Sequence, residues 1–334
     1  MTNEILGVAG LTQENKQRFE KDMLMRALPA FVHLGMGRKS VLAGGFGGEG
    51  GAPGGGNSTQ WRRLERNAAQ TTAFLDGTFP AEIQITVSAV NATVLQYGAW
   101  TPVGQQGWDQ SLDPLVQEMT EMYGELAGDT LDQIARNTLV AGTSVILSGS
   151  SASRSTIASC AAGFLAEADF RAAVRTLTRN NARRIPTEGG RFPAIVHPDT
   201  WFDFMGNTTI QNVLQNAGVR GNDNPLFTGE MYDYLGIRAK VSSNARTLGS
   251  LGLSLIVTVY QTLVFGQEAY GEARFGSYGS PEIITHAPGT SGVSDPLNTR
   301  GSVGFKASLV VAILNDNFMT RIESSSSLNP QTSN

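Results

Sequence analysis

Cysteine is nearly missing from this chain. Cys160 is the single one among 334 residues, so no disulfide can form within the chain and a reducing site of synthesis is expected. With no histidine beside it in sequence, Cys160 reads as an incidental or buried thiol rather than a nucleophile. Charge is scarce as well. Asp, Glu, Lys and Arg make up 16% of the chain, against about a quarter in an ordinary globular protein. The formal net charge of −4 argues against a dedicated nucleic-acid binder, which would be basic. No apolar run approaches the roughly 18 residues of a membrane span. The opening stretch MTNEILGVAGLTQENKQRFEKDM is polar and is no signal peptide. No membrane partner is therefore expected.

Chemistry-bearing motifs are missing too. There are three histidines, His33, His197 and His286, and no H-E-x-x-H, C-x-x-C or G-x-S-x-G. The glycine-rich stretch GGFGGEGGAPGGG at 44–56 is not followed by the G-K-[ST] of a phosphate-binding loop, and neither a strand before it nor a helix after it is expected. Only His197 with Asp199 and Asp203 could suggest catalysis or a metal. His-Pro-Asp is more simply a strand-to-helix turn with Asp199 as the helix cap. No catalytic, cofactor-binding or metal residue is expected, and a soluble hydrolase using His197 and Asp199 is the least favoured function.

What is present points elsewhere. The chain is long enough for a large core at 40% hydrophobic, and its 39 glycines with low charge suit either a surface largely covered by copies of itself or a loop-rich β protein. The longest helical pattern spans 113–141, about 42 Å at 1.5 Å per residue. Asp113 is its expected N-cap, Pro114 its first residue and Gly142 its stop. Its apolar stripe is read as Leu112, Leu115, Val116, Met119, Met122, Tyr123, Leu126 and Ile134, opposite an acidic side, and Gly124 and Gly128 could let it bend. Before it, residues 1–59 read as an arm with a helix over 12–28 and then the flexible glycines. Residues 60–107 read as a long hairpin. Asp76-Gly77 marks a turn, Ile83, Ile85 and Val87 alternate with polar residues, and the segment 94–97 continues the β pattern. Nothing near it in sequence would cover it, and an uncovered ribbon is marginal alone, so another subunit is expected to cover it. Trp61, Arg62, Arg63, Arg66, Asp76 and Phe79 are the candidate inter-subunit contacts.

Beyond the long helix, 165–274 reads as an α/β unit. A helix over 167–181 puts Phe170, Val174 and Leu177 on one face and Arg171, Arg175 and Arg179 on another. Strands follow at 192–196, within 229–241 and within 254–275. Further strands at 283–284 and around 310–314 return toward the long helix, and SSSSLNPQTSN should fray.

Taken in order, LDGTFP at 75–80, VLQYGAW at 94–100, the helix DPLVQEMTEMYGELAGDTLDQIARNTL, AIVHPDT at 194–200, GIRAKVSSNA at 236–245, VYQTLVFGQEAYG at 259–271 and DPLNTRGSVGFKASLVVAILND at 295–316 resemble the major capsid proteins of tailed bacteriophages, in particular the branch named for coliphage N-four. The resemblance runs from about residue 60 to residue 323. It implies the α+β Hong Kong phage capsid fold. Residues 1–59 would be the N-terminal arm, 60–107 the extended loop, 108–164 and 275–323 the peripheral domain with its spine helix, 165–274 the axial domain and 324–334 a flexible tail. It implies a structural protein, not an enzyme, that self-assembles through hexamers and pentamers into an icosahedral shell around double-stranded DNA. Assembly would take place in the host cytoplasm, with scaffolding, portal and decoration proteins as possible partners. An encapsulin-type compartment shares the fold and is the alternative. The lysines are Lys16, Lys21, Lys39, Lys240 and Lys306, with none in 60–107, so the lysine–asparagine weld of some relatives is not expected.

Overall fold

The computed structural model describes residues 31–42, 57–65, 67–73, 76–77, 79, 82–110, 115–159, 163–217, 233–249, 258–275, 280–290, 296–297 and 299–328. The expected arm helix, the glycine-rich stretch, the Asp113-Pro114 start, Cys160 and Arg66 lie outside these residues. In chain order the strands are β1 (Arg38–Leu42), β2 (Ser58–Leu64), β3 (Val87–Thr93), β4 (Leu95–Gly104), β5 (Val145–Leu147), β6 (Phe192–Val196), β7 (Asp233–Tyr234), β8 (Ile237–Val241), β9 (Thr247–Leu248), β10 (Val259–Phe265), β11 (Tyr270–Phe275), β12 (Glu282–His286), β13 (Arg300–Ile313) and β14 (Met319–Ser324). The helices are α1 (Gln105–Gln110), α2 (Leu115–Leu139), α3 (Arg154–Ser159), α4 (Glu167–Arg179), α5 (Pro198–Met205) and α6 (Thr208–Ala217).

The long strand β13 organises one sheet. One of its edges pairs with β4 along Arg300–Leu309. The other pairs with β12 opposite 302–306 and then with β11 opposite 310–313. The spine helix α2 lies on this ribbon. Tyr123 and Ala127 pack with Ile283, Val303 and Phe305, and further along Leu131, Ala135 and Leu139 pack with Ala307, Leu309 and Val311. The stripe chosen by size is therefore rotated from the true one. Met122 is 56% and Leu126 42% exposed, whereas Gly124 and Gly128 are buried on the packed face. A row of small residues lets the helix axis approach the strand closely, which bulky side chains would prevent. Arg321 finishes the helix, donating to the carbonyls of Val140 and, at 3.1 Å, Gly142. A guanidinium there satisfies orphan carbonyls and sits at the negative end of the dipole.

A seven-stranded sheet in the order β5-β14-β10-β6-β8-β7, with β9 added to β10, forms the second layer. Alternation sorts its side chains. Phe192, Ala194, Val196, Val264 and Ile322 face α4 and α5, where Phe170, Leu177, Trp201 and Phe204 pack on them. Ile195, Leu263, Phe265 and Met319 face the other way and meet Leu131, Ala135 and Leu139 of α2. The two helical layers thus cover opposite faces of one sheet. β14 occupies an interior position, between β5 and β10.

Two further expectations change. Residues 95–104 do not extend the hairpin: β4 leaves β3 and joins β13, because its pairing there continues over ten residue pairs. The start of the tail does not fray. Ser324, Ser325 and Ser326 are buried, and Asp203 accepts from Ser326 Oγ and Ser327 N, both at 2.7 Å, and from Ser327 Oγ. Unsatisfied backbone at the surface would fray; here the half-buried Asp203 carboxylate ties it down.

Candidate inter-subunit surface

Two strands make the root of the loop. β2 and β3 pair in antiparallel register from Ser58↔Thr93 to Leu64↔Val87, and Glu65 N donates to Thr86 O at 3.0 Å. Neither strand continues into another sheet. The ribbon is fastened at one point. Trp61 is 6% exposed and packs with Val94 and Ala273, flanked by Ala92, Phe275 and Val310. Gly271 makes room for it, since a Cβ there would lie 2.8 Å from the indole Cε2. Trp61, expected to contact a neighbour, is thus buried in its own subunit. Its size and apolar body are what a ribbon with one inward-facing row needs as an anchor.

The other described candidates point outward. Arg62 and Arg63 are exposed; Arg62 Nε donates to Gln60 at 3.1 Å and Arg63 lies 3.8 Å from Glu65. Such exposed pairs contribute little by themselves. Asp76 is exposed beside Gly77, whose φ of +85° only glycine adopts readily. Beyond the ribbon the apolar residues have almost no cover. Phe79 is 98%, Ile85 69% and Ile83 48% exposed, and Val87, at the end of the ribbon, 54%. On β4, Trp100 at 69% and Leu95 at 54% add to them. Trp100 borders a shallow cleft of about 440 Å³ on the β4/β13/β12 ribbon, whose other walls include Tyr97, Ile284, His286, Phe305 and Lys306. Gly98 and Gly304 line it, and a Cβ on either would meet backbone oxygen at 2.5 and 2.6 Å. Sequence reading missed this cleft because its walls come from three strands far apart in the chain.

The His197 cluster is structural. His197, not Asp199, caps α5: its Nδ1 accepts from Asp199 N at 3.3 Å, and Pro198 follows as the first helical residue. The Tyr260 hydroxyl donates to Asp199 at 2.7 Å and its ring lies 4.8 Å from the imidazole. Asp203 holds the tail. Burial pushes the His197 pKa down more than the Asp199 carboxylate raises it. Each polar group thus has a packing or capping partner. Among the described residues no group of three His, Cys, Asp or Glu could hold a metal ion, and no helix is long and apolar enough to cross a membrane.

Comparison with known proteins agrees with this surface-dominated picture. No curated protein matches the sequence. The fold is similar to that of the mature capsid of bacteriophage PhiM1, with a TM-score of 0.61 at 12% identity, covering 88% of this chain and 86% of that one. It is also similar to the capsid protein of cyanophage Pam1, with a TM-score of 0.60 at 16% identity, covering 82% and 86%. The encapsulin SrpI of Synechococcus elongatus is similar at a TM-score of 0.55 and 9% identity, covering 99% and 95%. These similarities show the α+β Hong Kong phage capsid fold. The family model described as phage capsid protein matches residues 86–322. Taking in the spine helix, both sheets and the second strand of the loop ribbon, that match places the chain in the phage capsid protein family, as a capsid shell protein of tailed phages.

Proposed function

We propose that copies of this chain, gathered as hexamers and pentamers, form the icosahedral head of a virion around double-stranded DNA, each reaching over its neighbour with the loop between β2 and β3. The observation that carries this reading is the uncovered apolar run Phe79, Ile83, Ile85 and Val87, which leads into a two-stranded ribbon that joins no other sheet among the described residues. An apolar side chain left in water forgoes about 1.5–3 kcal/mol that burial would supply, and large exposed apolar surface marks an interaction site. The cleft beside Trp100 is a fitting seat for such a residue. In this reading residues 1–59 act as arm, 60–107 as extended loop, 108–164 and 275–323 as peripheral domain and 165–274 as axial domain. Arg62, Arg63, Arg66, Asp76 and Phe79 contact neighbours, and Trp61 holds the ribbon they depend on. The role is structural rather than enzymatic. Assembly proceeds in the host cytoplasm, with scaffolding, portal and decoration proteins as partners.

Electron microscopy of the expressed protein, alone and with its neighbouring gene products, tests this. Closed shells are expected; monomers or dimers under every assembly condition would end the proposal. The similarity to an encapsulin keeps a second reading, a compartment for protein cargo. Copurified duplex DNA favours the first and a copurified enzyme the second.

A further inference from the structure

Two helices of this chain carry matching charge patterns that cannot meet within one subunit. On α4, Arg171, Arg175 and Arg179 recur every fourth residue and, with Val174, Thr178 and Leu235, line a groove of about 610 Å³. Arg171 pairs with Glu167, and among the described residues no carboxylate pairs with Arg175 or Arg179. Leu235 holds a positive φ of +50° in the β7–β8 turn, beside Gly236, over which the Arg184 guanidinium lies. Arg184 also covers the Phe192 ring at 5.6 Å, so the basic surface extends past the helix. On α2, Glu121, Glu125 and Asp129 recur at the same four-residue interval, Asp129 also accepting from the Asn244 amide at 3.2 Å. Exposed Met122 and Leu126 stand between them, and Glu118 lies one turn earlier. Both rows step about 6 Å per charge at 1.5 Å per residue. α4 packs on one face of the seven-stranded sheet, and the second half of α2 packs on the other.

We propose that the Arg171/Arg175/Arg179 groove of one copy receives the Glu121/Glu125/Asp129 face of α2 from a second copy, Met122 and Leu126 seating against Val174 and Leu235. The inference rests on the shell reading above and adds a specific contact to it. A patch that meets a different patch on the next subunit is head-to-tail, and such contacts close into rings when the rotation allows. That is the symmetry a capsomer needs. New arginine–carboxylate pairs at Arg175 and Arg179, with Arg171 already held by Glu167, would be partly removed from water and set register and orientation more than raw affinity. The apolar residues between them supply area. Duplex DNA is the competing occupant, but a concave groove walled by Val174 and Leu235 fits side chains better than a phosphate backbone.

Charge reversal tests it. Arg175→Glu with Arg179→Glu, and separately Glu125→Arg with Asp129→Arg, should each reduce shell yield at least tenfold while the subunits keep parental circular dichroism and melting. The quadruple variant, with the charges exchanged, should recover shells. Recovery only when both sides are reversed supports the contact. Normal shells from either single-sided variant, or no recovery in the quadruple variant, overturns it and leaves the shell reading intact. Normal shells from the α4 variant with less packaged DNA would assign the groove to the genome and likewise overturn it. If the parent forms no shells, the shell reading itself fails.

Discussion

At Glu323 the side chain is fully buried, and it gathers three partners. Arg154 binds it through two nitrogens at 2.5 and 2.7 Å, Arg321 Nε lies 2.9 Å away, and Gln261 donates at 3.0 Å. Arg321 meanwhile closes the end of α2. Burial alone raises the Glu323 pKa; the Arg154 hydrogen bond, the charges of Arg321 and Arg154 and the Gln261 amide outweigh it and hold the carboxyl below its ordinary 4.5. A depressed carboxyl contributes stability that is complete above its unfolded pKa and lost as pH falls through its folded pKa. Glu323→Gln should therefore destabilise the unassembled subunit by about 3 kcal/mol at neutral pH. It should also flatten the acid limb of the stability curve, measured by urea unfolding from neutral pH down to pH ~3. An acid limb as steep as the parent's would refute this. Asp169 acts in the opposite sense. Burial raises its pKa despite the hydrogen bonds from Ser148 and Ala166, so its contribution lies on the acid side and fades as pH rises. The difference between the parent and the Glu323 variant isolates the first effect. Trp61→Ala removes the ribbon's anchor and should cost about 3–5 kcal/mol. Phe79→Ala should leave the melting temperature of the free subunit unchanged, within about 0.5 kcal/mol, yet lower shell yield. If both variants behaved alike, the division between anchor and contact would fail.

Among the elements, the spine helix shows what could be read in advance and what could not. Its existence and extent were legible, because periodicity over 25 residues leaves little else possible. Its buried face was legible only in part. Tyr123, Met119 and Ile134 of the expected stripe do pack on the core, whereas Met122 and Leu126, favoured by hydrophobic size, are exposed and the rest of the packed face is Ala127, Leu131, Ala135 and Leu139, with Gly124 and Gly128 between. Closeness of approach is a tertiary property that no single residue's hydrophobicity records. The alternation at 83–87 was read as strand, but the strand β3 begins only at Val87. That β4 deserts its neighbour for β13 was not legible, since the partner lies about two hundred residues further on. A helix scale predicts that Gly124→Ala with Gly128→Ala gains about 1 kcal/mol per site. Burial against the ribbon predicts the reverse, and the melting temperature of the free double variant should fall. A rise would show that these glycines serve bending of the helix rather than close packing. Residues 31–42 are held by the pairing of β1 with β11, by the Tyr270 hydroxyl on His33 O at 2.6 Å and by one carboxylate of the spine. Asp132 of the spine, itself buried, accepts from Val32 N at 2.9 Å, His33 N at 2.7 Å and the His33 ring at 2.8 Å. Asp132→Ala should leave those donors unsatisfied and speed amide exchange over residues 31–42, with little change on β14. Uniform change across the chain would mean the clamp is not local.

Across the whole molecule, two helical layers cover opposite faces of one sheet, a second sheet runs beneath the spine, and an apolar loop stands clear of both. That arrangement leaves subunit stability to the core and shell formation to the surface, so the two should separate experimentally. Deleting residues 67–84 should yield a folded subunit that does not close shells. A deletion that also unfolds the protein would show that the loop belongs to the core.

The interior position of β14 also bears on the order of synthesis. β5 needs β14 as its partner, and β10 needs it on one edge. Until residues 319–324 have been made, β5 has no strand partner, β10 lacks one on one edge, and the Arg321 cap of the spine is missing. The last strand to be synthesised is thus the one that joins β5 to the rest of its sheet.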